Sequence, residues 1–296
     1  MTHLRKLMLD ELQRRNYAKT TAEAYVRALR EFAAYYRLPP DRLGLEQIRH
    51  YQLHLMRDKG LSPKTVKQHM AAMKFFYIHT LKRSFRWDQL PYPKCTERLP
   101  VILSLEEVRQ MIDAASNLFH RAILMTLYST GMRRAELTRL TVGDVDSKRM
   151  VIHILQGKGG KDREVPLSPT LLETLREYWR CKKPQMHLFP SPDRRRKGLC
   201  ISPRGVFHIC RAAAKKAGIK KTVGPHTLRH SFATHHVEAG ADLRTVQLLL
   251  GHASLSHTMI YLHLSQRHIR ACPSPLDGLG VCDLTKVSRS RRNRKP

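Results

Sequence analysis

The sequence predicts a mainly α protein with a small β-sheet, an α+β fold arranged as two domains. Three observations carry this. Apolar residues recur at helical spacing behind helix-start signals. One pair of strand-like segments flanks a glycine-rich turn. A proline-bounded polar stretch near position 98 divides the chain. At roughly 150 residues per domain, 296 residues suggest two cores rather than one.

The first hundred residues read as short amphipathic helices. Thr20 and Glu23 have the spacing of a capping box, and Tyr25, Leu29, Phe32 and Tyr36 then recur at helical spacing until Pro39 and Pro40. Ser62 and Pro63 occupy N-cap and first helical positions. Behind them Val66, Met70, Met73, Tyr77 and Leu81 form an apolar face, with Lys64, Lys67 and Lys74 on or beside the opposite one. This segment carries 20 basic and 9 acidic residues, so residues 1–90 are expected to form a helical domain that grips nucleic acid.

Pro91, Pro93 and Pro100 bracket a linker over 91–100. A second domain is expected over 101–270. Ser104 and Glu107 repeat the capping box before a helix at Leu105 to Ala115, and Ala122 to Tyr128 reads as a buried helix. Val151 to Leu155 and Arg163 to Leu167 are strand-like around the turn Gln156 to Asp162. Arg194 to Arg229 holds 11 basic residues and no acidic one. The last stretch, 271–296, reads as a basic, disordered tail.

Charge and composition narrow the function. The net charge is +30, yet 42% of residues are apolar, so the charge is displayed on folded surfaces and the natural partner is nucleic acid. Met1 to Asp10 lacks the apolar run of a signal peptide. The longest stretch free of charged residues, Thr245 to Gln266, is interrupted by Gln247, Gly251, His252, His257 and His263 and makes no membrane anchor. Cys95, Cys181, Cys200, Cys210, Cys272 and Cys282 form no C-x-x-C pair, as expected of reduced cytoplasmic thiols.

Several residues carry chemistry. The glycine-rich turn joins two strands and has no Ser or Thr after its lysines, so a P-loop is disfavoured; what it offers is a lysine on a hairpin, able to be laid over a phosphate. In Gly224-Pro225-His226-Thr227-Leu228-Arg229-His230, Pro225 suits the first helical position. His226 and Arg229 then project from one face of the first turn, beside backbone amides that favour an anion. Asp242 reads as an N-cap and Gly251 as the stop of the next helix, with His252 following at once. Tyr261 lies in an apolar segment, where tyrosine is usually core; with an ordinary pKa of about 10 it becomes a nucleophile only if cations converge on it.

Together these pieces resemble the tyrosine recombinase (phage integrase) family, and the string Pro225 to Tyr261 resembles its Xer-like branch. In Thr130-Gly131-Met132-Arg133-Arg134-Ala135-Glu136-Leu137, Arg133 matches the family's first catalytic arginine and Glu136 its supporting acid. Lys158 matches the hairpin lysine, His226 and Arg229 the H-x-x-R pair, His252 the His or Trp after the Leu-Leu-Gly turn, and Tyr261 the nucleophile. The helical N-terminal segment is similar to the family's core-binding domain.

The resemblance implies a site-specific recombinase that joins Tyr261 to a DNA 3′-phosphate and passes through a Holliday junction. Two guanidiniums and a histidine would hold the transition-state charge, with no metal, ATP or other cofactor. Lys158 is then the candidate to protonate the leaving 5′-oxygen, and His226 either orients or deprotonates the tyrosine. The implied partners are double-stranded DNA recombination sites, a homotetramer on two duplexes, and an accessory recombinase or DNA-bending protein; the implied location is the cytoplasm, at the nucleoid. The chain departs from the family at Pro273, Pro275 and Gly278, where a helix that docks into a neighbouring subunit is expected. The rivals are a nicking-closing topoisomerase, which the small core-binding segment argues against, and a DNA-binding accessory protein without the reaction, which the complete residue set argues against. A zinc site at His230, His235 and His236 is weaker still, since no cysteine pair has ligand spacing.

Overall fold

The computed structural model describes residues 3–83, 90–95, 99–155, 162–196 and 198–264. The chain separates into two compact units, residues 1–98 and 99–296. Among the described residues of the first are the helices α1 (His3–Arg14), α2 (Lys19–Tyr36), α3 (Leu45–Arg57) and α4 (Pro63–Phe75), the last continued by a π-helical turn over Phe76–Thr80. Their apolar faces meet in a core that includes Met8, Leu12, Phe32, Ile48, Tyr51, Met73 and Phe76. Tyr77 is buried in the same core and keeps its hydroxyl paired by donating to the carbonyls of Pro40 and Leu43.

Ser62 caps α4 as expected, its hydroxyl accepting from the Thr65 amide, with Pro63 at the first helical position. The ends of α2 differ from expectation. Thr20 and Glu23 lie inside the helix, and Ala18 holds the N-cap without a side-chain bond. The chain leaves α1 through Asn16 at φ 53°, and Tyr17 packs on Phe75 and Tyr25, which leaves only Ala18 to turn into the helix. At the other end Arg37 in the left-handed conformation closes α2 before Pro39 is reached, while Pro40 opens a short 3-10 turn.

The second unit holds α5 (Leu105–Asp113), α6 (Leu118–Thr130), α7 (Arg134–Arg139), β1 (Val145–Asp146), β2 (Val151–Ile154), β3 (Arg163–Pro166), α8 (Pro169–Lys182), α9 (Pro203–Lys216), α10 (Pro225–Glu238), α11 (Leu243–Leu250) and α12 (Ser256–Leu264). The strands form an antiparallel sheet in the order β1-β2-β3, with Ile152 opposite Val165, so the expected hairpin gains a short third strand. Ile152, Ile154 and Val165 point into the core built on α6, the buried helix expected around Ala122. Ser104 and Glu107 make the reciprocal capping box of α5.

The centre of this unit is α10, whose Leu228, Ser231, Phe232, Ala233, Thr234 and Val237 are all buried. The segment that enters the unit is fastened to it: the Leu103 amide donates to the Ser231 hydroxyl, and His235 Nε2 donates to the Leu103 carbonyl. That bond sets the tautomer, leaving His235 Nδ1 to accept from Tyr128. The turn 156–161 with Lys158, and the stretch 265–296 with the expected tail, lie outside the described residues. Among the described residues no helix is long and apolar enough to cross a membrane, and Cys95, Cys181, Cys200 and Cys210 are free thiols.

Candidate active site

The site starts where α6 stops. Gly131 ends the helix at φ 58°, and a Cβ there would lie 2.4 Å from the Phe232 ring, so both the backbone conformation and the close approach of α10 require glycine. Gly131→Ala should therefore cost about 2–3 kcal/mol of stability, from left-handed strain plus overpacking, as chemical denaturation would measure.

Beyond Gly131 the chain turns and presents Arg133 at the N-cap of α7, one turn before Glu136. The Glu136 carboxylate is buried and fully used. It accepts the Arg133 amide at 2.7 Å, Arg133 Nη1 at 2.8 Å, and Arg163 from β3 at 3.1 Å and 2.7 Å. Burial alone would raise its pKa, but the bonds from Arg163 and Arg133 win and hold it at about 2. Arg229, from the first turn of α10, is 4% exposed and donates from Nη1 to the Gly131 carbonyl at 2.6 Å. Burial, and then the neighbouring Arg133 cation, push its pKa down to about 9, which still leaves it charged at neutral pH.

The three guanidiniums converge on the C-terminal end of α11. Arg163 Nε donates to the Leu249 carbonyl at 2.9 Å, Arg229 Nη2 to the Leu250 carbonyl at 2.7 Å, and Arg133 Nη2 to the Gly251 carbonyl at 3.2 Å. A helix end supplies free carbonyls and the negative end of its dipole, so it is a natural anchor for cations. Gly251 closes α11 at φ 62°, with Arg163 side-chain atoms 3.1 Å from where its Cβ would stand. Asp242 caps the other end of α11, accepting from the amides of Arg244 and Thr245. With three cations and one carboxylate the site keeps an excess of positive charge, which suits a phosphodiester.

His252 follows Gly251, is held by Thr258 Oγ1 at 3.0 Å, and lies nearly parallel to the Tyr261 ring, with centroids 6.4 Å apart. Burial, followed by Arg229 and Arg133, lowers its pKa to about 3, so its ring is neutral at physiological pH. Tyr261, on α12, is 1% exposed; burial raises its pKa against the pull of Arg229 and Arg133. His226, in the first turn of α10, is exposed between the buried Pro225 and Thr227, and desolvation by the surrounding protein and then Arg229, Arg134 and Arg133 lower its pKa.

Arg133, Glu136, Arg229, His252 and Tyr261 are thus brought into one site with His226 at its edge, while Lys158 lies outside the described residues. Two members carry roles that the sequence does not indicate. Arg163 reads as an ordinary strand residue, yet it shares Glu136 with Arg133. His230 enters the sequence reading only beside His235 and His236 as a weak zinc candidate, with core histidine as the default, yet its Nδ1 meets the Tyr261 hydroxyl at 3.0 Å. Its spacing of one residue after Arg229 was the available signal. Among the described residues, no group of three or more His, Cys, Asp or Glu side chains is placed to hold a metal ion.

Comparison with known proteins agrees with this geometry. Residues 102–268 match the family model described as "Phage integrase family", and residues 4–87 match "Phage integrase, N-terminal SAM-like domain". An integrase/recombinase of Sinorhizobium fredii, y4qK, is 44% identical over 94% of this chain and 89% of its own length. The tyrosine recombinase XerA of Pyrococcus horikoshii is 36% identical over 82% of this chain and 90% of its own. The fold is shared with the XerH site-specific recombinase, solved bound to a palindromic difH substrate as a post-cleavage complex, at a TM-score of 0.70, 24% identity, and coverage of 89% of this chain and 82% of that one. The chain belongs to the phage integrase family and is a tyrosine-type site-specific recombinase of the Xer-like kind.

Proposed function

We propose that this recombinase cuts and rejoins DNA through a covalent 3′-phosphotyrosyl intermediate at Tyr261 and exchanges strands through a Holliday junction. The observation that carries the reading is the enclosure of Tyr261 in the same site as Arg133 and Arg229, whose guanidiniums are held by protein carbonyls and so are in place before any substrate arrives. A guanidinium has five N–H donors. Arg229 gives two to the carbonyls of Gly131 and Leu250, and the rest are available to a non-bridging phosphate oxygen.

In this reading the Tyr261 oxygen attacks the scissile phosphorus, the bond to the 5′-oxygen breaks, and the phosphotyrosyl bond conserves the energy for resealing without ATP. Arg133, Arg229 and His252 hold the charge that develops on the non-bridging oxygens, His226 orients the site, and Lys158 protonates the departing 5′-oxygen. Glu136 keeps Arg133 in place. Strand exchange between two duplexes needs four cleavages, hence a homotetramer, with accessory recombinase or DNA-bending partners acting at the paired sites. Base selection falls to residues 1–90 and the basic stretch around α9, where Arg211 lies over the Phe207 ring.

The test is a nicked suicide duplex, whose released fragment diffuses away and leaves the adduct trapped. A denaturation-resistant protein–DNA adduct should form in excess EDTA, and peptide mapping should place the DNA on Tyr261. Adduct on another residue, or none without a divalent cation, would refute the reading.

A further inference from the structure

The resting site pairs the nucleophile with a group not so far given a role. His230 stands one turn after His226 on α10, partly buried, and its Nδ1 lies 3.0 Å from the Tyr261 hydroxyl. Their ring centroids are 5.8 Å apart. Among the described residues, the charged and titratable groups around this imidazole are His226 and Arg229 from α10 itself, His252 beyond the end of α11, and Tyr261 from α12. Every one of these is a cation or neutral at physiological pH, so none of them favours a protonated ring in the absence of substrate. A neutral imidazole carries one bare nitrogen, and the phenol, kept protonated by burial, has one hydrogen to donate.

We infer that His230 is the proton acceptor for Tyr261, its unprotonated Nδ1 taking the hydroxyl hydrogen as the phenol oxygen attacks the phosphate. The proposal rests on Tyr261 being the nucleophile. The step balances: the O–H bond of Tyr261 breaks as the Nδ1–H bond forms, the phenol oxygen bonds to phosphorus, and the 5′-oxygen leaves with a proton from a separate acid. In the resealing step the 5′-hydroxyl gives its proton back to the conjugate base of that separate acid as its oxygen bonds to phosphorus, the bond from phosphorus to the tyrosine oxygen breaks, and the imidazolium returns its proton to that oxygen. Before DNA binds, burial and then His226 and Arg229 hold the His230 pKa down at about 4. A phosphodiester docked on the arginines brings an opposite charge to within a few ångströms, which favours the imidazolium and makes the ring a better base only when substrate is present. The nucleophile thus stays protonated in the free protein, where burial disfavours the phenolate, and loses its proton to His230 only as it attacks the bound phosphate.

The experiment measures single-turnover adduct formation on the nicked suicide duplex by the full chain and by His230→Asn, which keeps an acceptor oxygen near the Nδ1 position but cannot carry a proton. Each is made with tyrosine and with a more acidic difluorotyrosine at position 261. The expected result is a loss of about 10²–10⁴-fold in His230→Asn at unchanged DNA affinity, mostly restored by difluorotyrosine, which gives little gain beside an intact His230. A rate within threefold of the parent, a faster rate, or a loss that difluorotyrosine leaves untouched overturns the proposal in favour of a contact that merely stores the side chain. Nitrogen-15 spectra of histidine-labelled parent protein, with Tyr261→Phe for assignment, add a reading that needs no change at 230. They should show a bare His230 Nδ1, and a protonated Nδ1 overturns the proposal. The two levels of failure are distinct: adduct formed by Tyr261→Phe removes the nucleophile itself, whereas none from that variant and full activity from His230→Asn removes only the proton acceptor.

Discussion

Arg229→Ala should lower covalent adduct formation roughly 10³-fold or more, the scale of losing a charged donor aimed at a transferring phosphoryl group. Arg229→Lys should fall well short of rescue. Lysine keeps the charge but presents it as a point, whereas Arg229 uses one Nη on the Gly131 carbonyl at the end of α6 and the other on the Leu250 carbonyl at the end of α11. Removing the fork leaves two buried carbonyls without a donor, each costing about 1–3 kcal/mol, so Arg229→Ala should also unfold at clearly lower denaturant. Single-turnover trapping and equilibrium unfolding on the same preparations separate the chemical loss from the structural one. An Arg229→Ala protein that traps DNA at the parent rate would exclude this guanidinium from the reaction.

Glu136→Ala should lower stability by about 3–5 kcal/mol, because it removes the carboxylate shared by a cluster of buried or half-buried guanidiniums and leaves them to repel each other. The same carboxylate makes the parent protein acid-sensitive. Its folded pKa of about 2 lies below its ordinary value of 4.5, so the unfolded chain binds the proton first as pH falls. The stabilisation, about 3 kcal/mol, is present above pH 4.5 and is lost between there and pH 2. Urea midpoints for parent and Glu136→Ala should therefore converge as pH drops from 6 toward 3, and parallel curves would contradict this role for Glu136.

Local signals were legible where the chain decides its own conformation. Ser62 with Pro63, Ser104 with Glu107, Pro225 at the start of α10, and Asp242 and Gly251 at the ends of α11 all act as their types and spacing predict. The Thr20 and Glu23 box misplaced the start of α2 because tertiary packing of Tyr17 on Phe75 set the entry to that helix, which no local pattern encodes. The same limit holds in the site. Arg133, Glu136, Arg229, His252 and Tyr261 stood out through spaced motifs. Arg163 and His230 matter because of what the fold lays beside them, a carboxylate 27 positions away and a phenol 31 positions away. Burial explains the rest: Tyr261 looks like core because it is core, and its chemistry depends on which cations share that core.

The fastening of three arginines to consecutive carbonyls at the end of α11 also sets when the enzyme comes into being. Arg133 must close a span of 118 positions to reach Gly251, Arg163 a span of 86 to reach Leu249, and Arg229 a span of 21 to reach Leu250. Such closures are slow and are rewarded only once the intervening chain is ordered. A growing chain that has emerged only as far as α10 carries all three arginines, Glu136 and the Gly131 carbonyl, but lacks the three carbonyls at the end of α11 on which the guanidiniums converge. The cutting centre therefore assembles last, as a product of completed folding, and an unfinished or misfolded copy of this highly cationic chain can cling to DNA without acquiring the means to break it.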